Sequence, residues 1–213
     1  MNAADRLKAI FLLATLKHKR GAGEFSHTET LSEVVIDCLR QHEVRSEIVR
    51  LVDYNIKPGI KSNMGKGDDW PRILKKVLAA DIIVFATPIW WGNQSSLMQR
   101  AIERLDELHN ELRDTGKSRL ANKVGGIVIT GEEDGEQHIT GNIANFLLNI
   151  GVTLPPQCSL SYQGITRGRR RARSARNSAS RRRPRMPRRR WRGTYRSLPG
   201  FSGRTTFRRV TAR

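Results

Sequence analysis

Between residues 165 and 213 the chain contains no aspartate, no glutamate and no lysine, yet it holds 19 arginines. The formal charge of +19 belongs to that stretch, because residues 1–164 carry 20 basic and 20 acidic groups and are formally neutral. A strongly basic chain suggests a nucleic-acid or membrane partner; here that inference applies to the last quarter alone. The 213 residues are expected to form one domain, 1–164, with an appendage, 165–213. The appendage is of low complexity and poor in aliphatic residues. It cannot bury enough apolar surface to offset its ordering entropy, so it is expected to be disordered. Two readings of it stand. Arg169–Arg171, Arg181–Arg183 and Arg188–Arg190, interleaved with Trp191 and Tyr195, would neutralise phosphates and stack bases. Alternatively, arginine without lysine, beside a domain holding ten of each, is what a shifted reading frame in GC-rich DNA would produce, in the place of a final covering helix.

Cysteine is scarce. Cys38 and Cys158 lie far apart with no C-x-x-C, and His18, His27, His42, His109 and His138 share no ligand spacing, so no metal site is expected. Cys38 on an apolar helix face and Cys158 in a strand-like run are expected to be buried, reduced thiols, which fits a cytoplasmic protein. No apolar stretch approaches the ~20 residues of a membrane span. The run Ala9–Leu16 is followed by Lys17-His18-Lys19-Arg20, the wrong flank for a signal peptide, and is read as a strand. Three catalytic motifs are missing as well. There is no G-x-S-x-G elbow and no G-x-x-x-x-G-K-[ST] loop, and Gly21-Ala22-Gly23-Glu24-Phe25-Ser26 imitates a dinucleotide fingerprint too far beyond the strand to make its turn. No acid, base or nucleophile is nominated.

What is present is alternation. Lys8–Leu16, Ile82–Phe85 and Lys123–Gly131 are continuous apolar runs, as expected of strands buried on both faces of a parallel sheet. Val44–Val52 alternates like an edge strand, and Thr153–Tyr162 is a weaker last strand. Between them lie helical stripes. Ser26 and Glu29 have the spacing of a capping box before Leu31, Val34, Val35, Cys38, Leu39 and His42. Asp69-Trp70-Pro71 opens a second helix, Ser95 or Ser96 a third, and a fourth follows Gly135. The loop Asp53–Asp69 is long enough to be functional or mobile. The order βαβαβαβαβ implies a doubly wound α/β sheet.

Three strand-end loops would then converge at one sheet edge. Thr15–Thr28 offers hydroxyls, Lys17 and a helix N-terminus, which suit a phosphate, although Ser26 and Thr28 would serve equally as helix caps. Thr87–Gln94 offers two adjacent tryptophans that cannot both sit in the core. Thr130–Asp134 offers small and acidic residues that would also suit a solvated loop.

At these residues the chain from about Lys8 to Gly164 resembles the flavodoxin-like NADPH-dependent FMN reductases and NAD(P)H:quinone reductases. Ala86–Arg104, A-T-P-I-W-W-G-N-Q-S-S-L-M-Q-R-A-I-E-R, is similar to that family's T-P-I-Y-W-G segment, and Thr130–Gly135 resembles its third flavin loop. The resemblance implies a flavodoxin-like five-stranded sheet of order 2-1-3-4-5, with the final helix missing or replaced. It implies bound FMN, its phosphate on Thr15, Lys17, Ser26, His27 and Thr28, and its ring against Pro88, Ile89, Trp90, Trp91, Gly92 and Asn93. Thr130, Gly131, Glu133 and Asp134 would complete the site. NADPH or NADH would reduce the flavin, which would reduce a quinone, a flavin or a similar small acceptor. A flavodoxin-type electron carrier is the alternative. The resemblance is compatible with a homo-oligomer.

Overall fold

The computed structural model describes residues 6–18 and 25–164. The Gly21–Gly23 mimic, the arginine clusters and the place of a final helix lie outside them. In chain order the elements are β1 (Lys8–Leu13), α1 (His27–Gln41), β2 (Arg45–Arg50), α2 (Trp70–Ala79), β3 (Ile82–Trp90), β4 (Asn93–Gln94), α3 (Ser96–Thr115), β5 (Val124–Gly131), α4 (Glu136–Asn149) and β6 (Ser159–Gln163). The five long strands are parallel and run β2-β1-β3-β5-β6, with the two-residue β4 folded antiparallel against β3. Without β4 this is the flavodoxin-like order 2-1-3-4-5.

The central strands bury both faces, which is why they read as unbroken apolar runs. Ile10, Leu12, Ile83, Phe85, Ile127 and Ile129 face a core closed by residues of α2, α3 and α4. Their alternates Phe11, Leu13, Val84, Ala86 and Val128 pack under α1, through Leu31, Val35, Ile36 and Leu39. On that second face β6 stays open: Leu160 and Tyr162, in register with Val128 and Thr130, are 41% and 58% exposed.

Several expectations need correction. The buried stripe of α1 runs through Thr28, Leu31, Ser32 and Val35, so Val34, Cys38 and His42 face outward, and the Cys38 thiol is exposed. Thr28 and Ser32 are the buried residues of α1, beside the partly buried Leu31, Val35, Ile36 and Leu39. Ser32 is fully buried because its hydroxyl donates to the Thr28 carbonyl at 2.7 Å. Cys158 is half-buried, and both thiols are free. The last strand starts at Ser159, six residues late, because Pro155 and Pro156 have no N–H for a ladder; Thr153 makes only an isolated bridge to Val124. Strand β3 does not stop at Phe85 but runs through Ala86, Thr87 and Pro88 to Trp90.

The loop before α2 is tied down by one buried ion pair. Arg104 of α3 meets Asp68 at 2.6 Å with both side chains at 0% exposure. The Asp68 carboxylate also accepts the N–H groups of Lys57, Met64 and Trp70, while Arg104 donates to the Lys57 carbonyl and lies over the buried Trp70 ring. Asp69 holds the cap position of α2, but Asp68 accepts the Trp70 N–H. Burial would raise the Asp68 carboxyl; the Arg104 bond and those three N–H donors outweigh it and hold the pKa below the ordinary value. Among the described residues no helix is long and apolar enough to cross a membrane.

Candidate functional site

The carboxyl ends of β1, β3 and β5 open on one cleft with a volume of about 210 Å³, where a doubly wound sheet is expected to hold a ligand. Its first wall is Thr15, Lys17, Ser26, His27 and Thr28. Ser26 caps α1, its hydroxyl accepting the Glu29 N–H at 3.3 Å. Helix geometry leaves the first-turn N–H groups of His27 and Thr28 without intrahelical acceptors, and both residues line the cleft. The Lys17 ammonium reaches across to the Phe25 carbonyl at 2.7 Å. Buried Thr28 and Thr130 share a 2.7 Å hydroxyl–hydroxyl bond that joins the first wall to the third.

Pro88, Ile89 and Trp90 make the second wall, and Trp90 is half exposed. A knot of small polar groups aims this segment. The buried Thr87 hydroxyl accepts the Ser95 N–H at 3.0 Å, and the Ser95 hydroxyl donates to the Ala14 carbonyl at 2.7 Å, so the ends of β1 and β3 and the start of α3 are fixed together. Thr130 and Gly131 form the third wall. A side chain at Gly131 would meet Ile89 at 2.7 Å, so this glycine lets β5 lie close against the second wall.

Five expected residues do not line the cleft: Trp91, Gly92, Asn93, Glu133 and Asp134. They bind two loops to each other instead. Trp91 and Gly92 are the central pair of the β3–β4 hairpin, with φ +49° and +74°, the pattern of a type I′ turn. The Glu133 carboxylate accepts the Trp91 N–H at 2.9 Å, and Asn93 donates to the Trp91 carbonyl at 3.1 Å. Any side chain at Gly135 would strike the Gly92 backbone at 2.6 Å, so the third loop rests directly on this turn. The Trp91 indole is left 86% exposed.

Leu16 and Glu132, within the expected loops, and Tyr162 and Gly164, outside them, also line the cleft. Tyr162 carries a signal of its own in the sequence. It is an aromatic at the carboxyl end of a parallel strand, and the β5–β6 register pairs it with Thr130.

The donor set suits two kinds of ligand group at once. Helix N–H groups, hydroxyls and Lys17 suit a phosphate, and Pro88, Ile89, Trp90 and Tyr162 offer apolar and aromatic surface to a flat ring. No His, Cys, Asp and Glu cluster among the described residues is arranged to hold a metal ion.

A family model described as NADPH-dependent FMN reductase matches residues 8–165. The divalent metal cation transporter MntH of Mycobacterium bovis is 38% identical over 164 residues, which cover 75% of this chain and 24% of that protein. The 8-demethyl-8-aminoriboflavin-5'-phosphate synthase of Streptomyces davaonensis is 30% identical over 169 residues, covering 74% of this chain and 64% of that protein. The chain therefore spans about a quarter of one relative and just under two thirds of the other. The crystal structure of RosB with bound 8-demethyl-8-formylriboflavin-5'-phosphate superposes with a TM-score of 0.66 at 30% identity, covering 76% of this chain and 67% of that one.

Proposed function

Since the chain belongs to the NADPH-dependent FMN reductase family, we propose that it is an FMN-dependent oxidoreductase, passing electrons from NADPH or NADH to a quinone, a free flavin or a similar small acceptor. The observation that carries this reading is that one cleft joins the phosphate-suited first turn of α1 to the aromatic wall of Trp90 and Tyr162. A riboflavin-5'-phosphate derivative in the structure of a 30% identical relative supports the same occupant. When bound, FMN supplies the redox chemistry, accepting a hydride and passing electrons on.

The protein's share is to hold and orient. His27 and Thr28 would present N–H groups to the phosphate, with Lys17 adding charge. Pro88, Ile89 and Trp90 would take the ring, and the Thr28–Thr130 bond keeps the first and third walls at a fixed spacing. Glu133 acts at one remove, holding the hairpin from which Trp90 leads into the turn.

Purified protein is expected to show a flavin absorption band, or to acquire one on incubation with FMN. With a quinone present, the FMN-loaded form is expected to oxidise NADPH in steady state. Colourless protein that FMN cannot reconstitute would remove the reading. Flavin binding without turnover would leave an electron carrier.

A further inference from the structure

Glu29 occupies the third position of α1, where the partner of a serine cap usually turns back to bond the cap residue's own N–H. Here it does not. Its carboxylate is drawn sideways to Arg50, 2.5 Å from the guanidinium. Arg50 lies at the end of β2, in none of the three loops, and is 8% exposed. The same guanidinium donates to the Lys17 carbonyl at 2.9 Å and stands 3.9 Å from the Asp53 carboxylate, which also meets His18 at 3.2 Å. One buried cation thus fastens the chain leaving β1 to the first turn of α1.

A carboxylate released at this point would sit against the helix N-terminus. It would compete with any other anion for the first-turn N–H groups, and its charge would repel a phosphate. We propose that Arg50 is a positioning residue that keeps the anion site clear by holding Glu29 away from the helix N-terminus and fixing the Lys17 loop beside it. This rests on the proposal that the first wall receives the FMN phosphate. Arg50 does not line the cleft, so it acts through Glu29 and Lys17 rather than by touching the ligand. Within the brace the Arg50 cation faces two carboxylates, Glu29 at 2.5 Å and Asp53 at 3.9 Å. Its contribution is therefore one of arrangement and not of net positive field.

Riboflavin separates the two ends of the cleft, because it has the ring of FMN without the phosphate. The test titrates apo-protein with FMN and with riboflavin by quenching of flavin fluorescence. Wild type is expected to prefer FMN. Arg50→Met is expected to weaken FMN about tenfold or more and to leave riboflavin within about threefold. Arg50→Met combined with Glu29→Gln removes the stray carboxylate together with its keeper, and is expected to regain most of the lost FMN affinity. Arg50→Lys keeps the buried charge and serves if Arg50→Met does not fold. Its single ammonium cannot replace a planar fork with several partners, so a smaller loss confined to FMN is expected.

Equal weakening of both ligands, or a double variant no better than Arg50→Met, overturns the role of Arg50. Wild type that binds riboflavin as tightly as FMN overturns the phosphate assignment instead. The two failures are thereby distinguished.

Discussion

Trp91 combines two costs in one residue: a left-handed backbone and an indole left almost wholly in water. Asparagine before glycine is the usual solution for such a hairpin. Trp91→Asn is expected to stabilise the protein by about 0.5–1 kcal/mol in urea denaturation, because the backbone bonds to Glu133 and Asn93 remain and the exposed ring takes little packing with it. Its neighbour behaves differently. Trp90 lines the cleft, so Trp90→Ala is expected to raise the Kd for FMN by about tenfold, read by fluorescence titration, with little change in the urea midpoint. The sequence showed that two adjacent indoles cannot both be core. Which one serves the cleft was not legible, since that depends on β3 continuing past Pro88 and on a third loop that packs Gly135 against Gly92.

At the scale of elements, strand positions were legible wherever burial on both faces made an unbroken apolar run, as in β1, β3 and β5. The face of α1 was not. Thr28 and Ser32 look like surface residues until their hydroxyls are seen to be satisfied within the fold. The loop before α2 misled in the same way, because its glycines and lysines conceal the Asp68–Arg104 pair. Asp68→Asn leaves a buried guanidinium without its counter-ion and is expected to cost about 3–5 kcal/mol in chemical denaturation. A carboxyl held below its ordinary pKa in the folded chain adds stability that is complete above that ordinary value and is lost as pH falls toward the lowered one. Wild-type stability is therefore expected to decline on the acid side of the ordinary carboxylate range, and Asp68→Asn to flatten that decline in melts followed from pH 6 to pH 2, whole pH values taken at about one-unit steps.

For the molecule as a whole, the doubly wound sheet was legible in the alternating elements, and its flavodoxin-like order and the family through the resemblance carried by T-P-I-W-W-G. The arrangement of charge behind the first wall was not, since Arg50 sits in a strand with no motif around it. If the cleft takes FMN, folding and binding are linked. Saturation to 100 times Kd is expected to add about 2.7 kcal/mol to stability, seen as a rising melting temperature, and riboflavin at the same concentration is expected to add less. The strand order also sets a schedule for the chain during synthesis. Ile10 pairs with Glu47 and, on its other side, with the later Ile83, so the apolar centre of β1 must wait for β3 to be made before its second edge is covered. Until β5 follows, β3 is itself an open edge rich in aliphatic side chains. Sheets of such long-range pairings assemble slowly, and a nascent chain halted between Trp90 and Val124 would present that edge to its neighbours as a template for aggregation.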